Sequence, residues 1–113
     1  MFHVLHQSDQ KKGAIAAVEF EGKRYGAGVS FFLGDLSLGK GPTLHKHPYC
    51  EICIVRSGQA RMAVDGEAIV AVAGDVVVIE PESPHGFIAI GDERLEMLCI
   101  HASNRFIIEW LNT

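Results

Sequence analysis

The sequence predicts an all-β domain, built as a sandwich or a small barrel, from three observations. Short runs rich in Val, Ile and Phe recur along the chain, separated by Gly, Pro and Asp. These turn signals return about every eight to twelve residues, a spacing typical of such folds. The 113 residues, of which 48% are hydrophobic and 21% charged, suffice to bury one core and are too few for two. We therefore expect a single domain over residues 1–113.

Ten strands follow from this pattern, each a β-prone run between turn signals. They are Ala14–Phe20, Tyr25–Leu33, Asp35–Leu38, Thr43–His47, Glu51–Ser57, Ala60–Val64, Glu67–Val72, Val76–Glu80, Gly86–Ile90 and Leu95–His101. The strongest turn signal is Asp65-Gly66, because this dipeptide favours the positive φ angles of a two-residue hairpin. The two strands that flank it are predicted to pair antiparallel.

The tail, Ser103–Leu111, is predicted to depart from the strand pattern and form a short helix. Its apolar residues recur at helical spacing, and Ser103 or Asn104 is a suitable N-cap. These apolar residues are Phe106, Ile107, Trp110 and Leu111. A helix this short is only marginally stable by itself, so its apolar face is expected to dock on the rest of the domain or on a second subunit.

Charge and composition argue against several classes of partner. The net charge is −4 and no long run of Lys or Arg occurs, so binding to nucleic acid is not expected. No stretch approaches about 20 apolar residues, and the start lacks the order of a secretory signal, so we expect no membrane span and a cytoplasmic location. Three cysteines, an odd number, predict reduced thiols. The expected partner is a small neutral or cationic molecule.

Three candidate metal ligands, His45, His47 and Glu51, lie in one short segment. Side chains alternate along a strand, so two histidines at this spacing project from one face about 7 Å apart. Pro48 and Tyr49 are expected to bend the chain and return the Glu51 carboxylate to the same side. Imidazole and carboxylate together suit Fe, Mn, Co, Ni, Cu or Zn. A His-x-His pair is a weak motif by itself, since either histidine can equally be solvated or hydrogen-bonded.

Residues 39–58 resemble the first motif of the cupin superfamily. That motif reads Gly, five residues, His-x-His, three or four residues, Glu, six residues, Gly. The matching positions in this chain are Gly39, His45, His47, Glu51 and Gly58.

Residues 74–89 resemble the second cupin motif, and His85 stands where the family has its fourth ligand. The match is imperfect, because Glu80 and Glu82 replace the usual Pro and Gly, and Ala89 replaces an Asn that is frequent there. The resemblance implies a cupin jelly-roll barrel of two antiparallel sheets and, commonly, a homodimer formed by exchange of edge strands. It also implies one divalent transition metal in the barrel mouth, held by His45, His47, Glu51 and His85.

Two of the cysteines and two further acid–base groups have structural alternatives to a chemical role. Cys50 and Cys53 stand three residues apart, which places them on opposite faces of a strand, so core packing is favoured over a shared metal. His101 and Glu82 are the candidate catalytic residues, and either of them would act as a general base. The alternatives are a hydrogen-bonded histidine at a strand end and an ordinary surface carboxylate.

Two classes of function remain open from the sequence. In the first, the chain is a small metalloenzyme of the dioxygenase, isomerase or lyase class, because four protein ligands leave about two positions of a six-coordinate ion for a small organic substrate. In the second, it is a non-catalytic module that binds or senses a sugar, acyl or aromatic compound. No helix-turn-helix pattern supports a regulator, so the enzyme is favoured.

Overall fold

The structure, a computed structural model, describes residues 1–13 and 17–111 as two antiparallel β-sheets that enclose one core. Two short 3₁₀ turns, Gln7–Asp9 and Gly22–Tyr25, precede most of the strands. The strands are β1 (Lys11–Lys12), β2 (Ala17–Glu21), β3 (Ser30–Leu36), β4 (His45–Lys46), β5 (Glu51–Ser57), β6 (Gln59–Val64), β7 (Glu67–Val72), β8 (Val76–Ile79), β9 (His85–Ile90), β10 (Leu95–His101) and β11 (Glu109–Trp110). The predicted all-β fold is confirmed.

One sheet has six strands in the order β1-β2-β3-β10-β5-β8, and the other has five in the order β11-β4-β9-β6-β7. The predicted hairpin joins β6 to β7, with Val64 opposite Glu67. Its turn residues, Asp65 and Gly66, have φ angles of 52° and 81°, as a two-residue turn between twisted strands requires. Within the described residues no helix is long and apolar enough to cross a membrane.

The core is apolar through most of its length and polar at one end. Alternate residues of β5 and β10 point inward, so Cys53 and Val55 pack beside Met97 and Cys99. At the other end, polar side chains are buried instead of apolar ones, namely Ser30, His45, His47, Glu51, His85 and His101. Buried polar groups are costly unless they bind one another or a ligand, so this end of the barrel is where a site is expected.

Most predicted strands are present with shifted ends. The predicted Asp35–Leu38 is the end of β3 instead of a separate strand, and Tyr25–Leu33 begins late because Gly22–Tyr25 forms a turn. The prediction over Thr43–His47 shortens to the two residues of β4. Residues 14–16 of the first predicted strand lie outside the described residues; from Ala17 onward that strand is present as β2.

The prediction of a helix over Ser103–Leu111 is wrong. The chain bends after β10 and then runs extended, and β11 pairs antiparallel with β4. The backbone N–H of Leu111 also donates to the carbonyl of Leu44 at 3.0 Å. A single short helix gains little by itself, whereas the edge of β4 offers unpaired backbone groups that an extended segment satisfies. Pairing with β4 therefore overrides the helical spacing of the apolar residues.

Candidate metal centre

The four predicted metal ligands come together at the polar end of the core. His45 lies on β4 and is paired across strands with His85, the first residue of β9. His47 follows β4, and Glu51 begins β5. One donor atom from each lies within 4.8 Å of all the others, and all four side chains are buried. Donors that share one ion at about 2.0–2.2 Å must lie at such separations.

Each ligand histidine is held by a hydrogen bond from its outer ring nitrogen to a backbone carbonyl. The Nδ1 groups donate to Thr43 (2.7 Å, from His45), Ile107 (2.8 Å, from His47) and Ser83 (2.8 Å, from His85). A carbonyl only accepts, so Nδ1 carries the proton and the lone pair of a neutral ring is on Nε2. The backbone thus fixes the tautomer that a metal ligand needs.

Glu51 lies at the centre of the histidines and uses both carboxylate oxygens. Its Oε1 lies 2.9 Å from His85 Nε2 and 3.1 Å from His47 Nε2, and its Oε2 lies 3.3 Å from His101 Nε2. Burial by itself raises the pKa of this carboxyl, but the surrounding imidazoles of His101, His47 and His85 outweigh burial and hold the pKa well below its usual range. Glu51 is therefore an anionic donor.

Two of the histidines differ in how they hold a proton. Burial lowers the pKa of His45 to about 4, so this ring is neutral near pH 7. At His85, burial also lowers the pKa, but the hydrogen bond to Glu51 and that to the Ser83 carbonyl outweigh it, and the pKa is raised. In the absence of an ion, the His85 ring beside Glu51 thus keeps its proton to higher pH than an ordinary histidine does.

The donor set and its environment fit a transition metal ion. Nε2 of His47 is buried and makes no hydrogen bond to any described residue, although it lies close to Glu51. Leaving such a nitrogen unpaired costs about 1–3 kcal/mol, a cost that coordination would remove. Three imidazole nitrogens and one carboxylate oxygen are also the mixture that first-row transition metals prefer.

The structure brings only one of the two candidate catalytic residues to this centre. His101 is buried next to Glu51, and its Nδ1 lies 2.6 Å from the hydroxyl of Tyr49. Glu82 is exposed instead and forms an ion pair with Lys46 at 3.0 Å. It is not among the residues that line the cavity beside the centre.

A cavity of about 180 Å³ opens beside the centre, between the two sheets. His45, His47, Glu51 and His101 form its polar end. Its walls are mainly apolar and are formed by Phe32, Leu36, Phe87, Met97, Ile108 and Trp110. A small organic molecule in this cavity would lie against three of the four candidate ligands, His45, His47 and Glu51.

Sequence reasoning missed Tyr49 and the C-terminal segment as parts of the site. The Tyr49 hydroxyl accepts from the backbone N–H of Ile107 at 3.1 Å, and the Ile107 carbonyl holds His47. The signal was present, since Phe106, Ile108 and Trp110 alternate with a period of two, and Ile108 and Trp110 line the cavity. The competing helical spacing concealed it.

The cysteines are free thiols. Cys53 lies in the core and donates to Glu51 Oε2 at 3.5 Å, whereas Cys50 is only partly buried. Cys99, paired with Cys53 across strands, is the thiol that reaches the cavity wall. The expectation that Cys53 and Cys50 lie on opposite faces agrees with this placement.

Comparison with known proteins gives one family and several structural relatives. A family model described as "Cupin domain" matches residues 32–101. Among solved structures, Bacillus subtilis oxalate decarboxylase, studied for its Mn(II) centres, is 26% identical with a TM-score of 0.74 over 87% of this chain. Lactobacillus farciminis oxalate decarboxylase, in complex with formate, is 24% identical with a TM-score of 0.79 over 91%.

An oxalate oxidase is 22% identical, with a TM-score of 0.77 over 97% of this chain. These similarities support the fold, but the relatives are longer. The chain spans 28% of the Bacillus decarboxylase, 34% of the Lactobacillus decarboxylase and 63% of the oxidase. No curated protein matches the chain.

Proposed function

The chain belongs to the cupin domain family, and we propose that it holds one divalent transition metal ion (Fe, Mn, Ni, Zn, Co or Cu) on His45, His47, Glu51 and His85. The observation that carries this proposal is the convergence of four buried donor atoms within 4.8 Å. The three backbone carbonyls that fix the imidazole tautomers support it further.

We further propose that the chain is a small metalloenzyme of the dioxygenase, isomerase or lyase class, acting on an organic molecule in the cavity. When bound, the ion supplies a Lewis acid next to the substrate. His101 is the candidate proton-transfer group because it lies in the cavity wall. The Tyr49 hydroxyl accepts from the N–H of Ile107 and is free to donate its own proton to His101 Nδ1, which leaves the ring proton of a neutral His101 on Nε2, 3.3 Å from Glu51 Oε2.

Metal content tests the first part of the proposal. Protein purified from metal-supplemented cells should contain close to one metal ion per chain, as measured by elemental mass spectrometry. The His47→Ala variant should lose most of this metal. His6→Ala is the matched control, since His6 is exposed and far along the chain from the centre, and its metal content should equal that of the wild type. Equal metal content in His47→Ala and wild type would refute the assignment of ligands.

Turnover tests the second part. Oxygen uptake and product formation should be screened with catechols, thiols and keto acids on metal-loaded protein. For a substrate that turns over, His101→Asn should lower kcat by about 10²- to 10⁴-fold while metal content is retained. If His101→Asn turned over at the wild-type rate, His101 would not be the proton-transfer group.

One observation favours the alternative of a non-catalytic binding or sensor module. Only His101 of the two candidate acid–base residues lines the cavity, while Glu82 is exposed and paired with Lys46. In that case metal and ligand would bind in stoichiometric amounts with no turnover of any screened compound. Glu82→Gln should leave turnover unchanged if the enzyme proposal is correct with His101 as its proton-transfer group.

We also propose that two copies of the chain associate through the outer face of the six-stranded sheet. Two cross-strand rows of that face consist entirely of apolar residues, which together we name the outer apolar face. The rows are Val76, Ile54, Leu98, Leu33 and Val18, and Val78, Ile52, Ile100, Phe31 and Phe20.

A second copy is the occupant that this face fits. Val76 and Val78 are 57% and 60% exposed, and monomers rarely leave large contiguous apolar patches open to water. Leu33 is 44% exposed and the other seven residues of the two rows are partly buried, so the ten side chains form one continuous apolar surface that a second copy would cover. On the other sheet, the polar Gln59 and Arg61 interrupt the outward-facing residues. A face-to-face dimer would differ from the exchange of edge strands that the resemblance implied.

A further inference from the structure

We propose that the cavity selects a compact, uncharged molecule with a ring-sized apolar body and one oxygen donor, such as a phenol, and discriminates against dicarboxylates. This inference rests on the proposed function, because it names the ligand class of the same site. It depends on three features of the cavity: its volume, its walls and the balance of charge at its polar end.

The volume limits the ligand to about one ring. The cavity holds about 180 Å³, and an apolar protein cavity of about 150 Å³ accommodates benzene. A six-membered ring with one or two small substituents therefore fills it. A sugar chain or a long acyl chain exceeds it.

The walls favour an apolar ligand with an aromatic face. Phe32, Phe87 and Trp110 contribute rings to the lining, and Leu36 and Met97 add aliphatic surface. Aromatic rings gain stability from offset or edge contacts with other rings in addition to the burial of their area. Burying a ligand's apolar body here is therefore favourable, whereas burying hydroxyl groups without partners is costly.

The charges in the cavity disfavour a dianion. Among the described residues that line it, none is a lysine or an arginine, and one, Glu19, is a carboxylate remote from the metal ligands in the sequence. The two nearby cations are already paired, Lys46 with Glu82 and Glu109 at 3.0 and 3.7 Å and the exposed Lys11 with Glu19 at 3.7 Å. Glu51 neutralises one of the two charges of a divalent ion, so the ion retains charge for one anionic oxygen. A second carboxylate would be buried without a cation.

The cavity also orients such a ligand. Nε2 of His101 is buried 3.3 Å from Glu51 Oε2 and makes no well-formed hydrogen bond to any described residue, so it can turn its proton to a ligand oxygen at the polar end. Trp110 is 58% exposed and lies beside His45, with ring centroids 5.0 Å apart and the ring planes tilted by 47°. The oxygen of the ligand would therefore face the ion and His101, and the ring would lie along the apolar walls.

The test is a titration of Co(II)-loaded and metal-free protein with phenol and with oxalate. Calorimetry should give a dissociation constant for phenol at least tenfold lower than that for oxalate with the loaded protein, and phenol should change the visible spectrum of the bound Co(II). The metal-free protein should still bind phenol, because the apolar walls do not depend on the ion. Oxalate binding more tightly than phenol to the loaded protein would overturn the inference.

Two variants sharpen the result. Gly34 lines the cavity between Phe32 and Leu36 on β3, and a Cβ there meets only one backbone oxygen within 4 Å. Gly34→Val should therefore fill part of the cavity and weaken phenol binding at least tenfold with Co(II) content unchanged. Glu19→Lys should strengthen oxalate binding at least tenfold, whereas the neutral Glu19→Gln should not.

The outcomes separate this inference from the proposed function. A chain that takes up no Co(II) refutes the metal site, and the phenol titrations of metal-free wild type and Gly34→Val still decide the cavity's preference. Unchanged phenol affinity in Gly34→Val overturns the inference, even if the metal binds.

Discussion

At the scale of single residues, the centre is prepared for an ion by what lies behind each ligand. Three backbone carbonyls hold the Nδ1–H groups, so the rings need not reorient when Nε2 binds metal. The carboxylate of Glu51 is kept ionised by the imidazoles of His101, His47 and His85. The proton on the pair of His85 and Glu51 is what an incoming ion must displace.

Metal affinity is expected to rise with pH because of that proton. The raised pKa of His85 means that the folded, metal-free chain binds a proton which the unfolded chain has lost above about pH 6.5. The protonated His85 stabilises the folded, metal-free chain in full below the His85 pKa of the unfolded chain. This stabilisation disappears as the pH rises through the His85 pKa of the folded chain. Affinity should therefore increase about tenfold per pH unit up to the folded pKa of His85 and then level off.

The measurement is a competition titration against a chelator from pH 6 to pH 9. His45, with a pKa of about 4, is neutral throughout this range and should not contribute to the pH dependence of metal affinity. Calorimetry in two buffers of different ionisation enthalpy provides the check, since it should report about one proton released per ion near the lower end of the range. An affinity independent of pH would contradict the protonated pair.

At the scale of elements, the glycines that bracket the first motif have different tasks. Gly39 has a φ of 81° with open space around its α-carbon, whereas Gly58 has a φ of 76° and a Cβ there would collide with the backbone of Arg94 and Leu95. The turn from β5 to β6 thus needs glycine both for its positive φ and for lack of space, whereas the turn after β3 needs glycine only for its positive φ.

Replacing these glycines should destabilise the fold unequally. Gly39→Ala should cost about 1–2 kcal/mol, the strain of a left-handed alanine. Gly58→Ala should cost more than Gly39→Ala, because the strain adds to a collision with backbone that cannot move aside. Urea denaturation of both variants measures the difference, and equal losses would show that the β5–β6 turn rearranges.

The C-terminal segment is a further element with a defined task. The carbonyl of Ile107 accepts from His47 and its N–H donates to Tyr49, so the backbone of one residue connects the metal centre to His101. A change in this backbone should reach the ion without altering any ligand.

Ile107→Pro is expected to weaken metal binding about tenfold, because it removes the N–H and constrains the carbonyl that orients His47. Ile107→Ala keeps both backbone groups and is the control, with affinity expected within about twofold of wild type. Both dissociation constants are measured by chelator competition at one pH. If the proline variant bound metal as tightly as the alanine variant, the segment would only cover the site.

At the scale of the whole molecule, the two sheets have different outer surfaces. The six-stranded sheet carries the outer apolar face on its solvent side, and the acidic Asp35 and Glu96 stand opposite each other beside its rows. Such a patch with a charged border is typical of an interface between subunits.

Association is expected to depend on this face. Light scattering with size-exclusion chromatography should give twice the chain mass of 12.3 kDa. Val78→Glu should shift the protein to the monomer, since a carboxylate buried in an apolar interface lacks a partner. Val70→Glu is the matched control, an exposed valine on the other sheet, and should remain dimeric. A wild-type mass of one chain would refute the proposal.

The sequence by itself determined the all-β fold, the β6–β7 hairpin and the residues that converge at the centre. These depend on information that is local, such as a period of two, an Asp-Gly turn, or ligands spaced along one strand and the turn after it. The resemblance to the second cupin motif added His85. No local pattern connects His85 to His45, which lies 40 positions earlier in the chain.

Only the tertiary structure decided the rest. Residues 106–111 match both a helical period and a strand period, and the choice depended on the unpaired edge of β4, which lies about 60 residues away in the sequence. The same holds for His101 and Glu82, two polar residues near strand ends that packing separates into a buried group and an exposed ion pair. Hydrogen-bond partners and burial are properties of contacts between distant segments, so a local pattern cannot specify them.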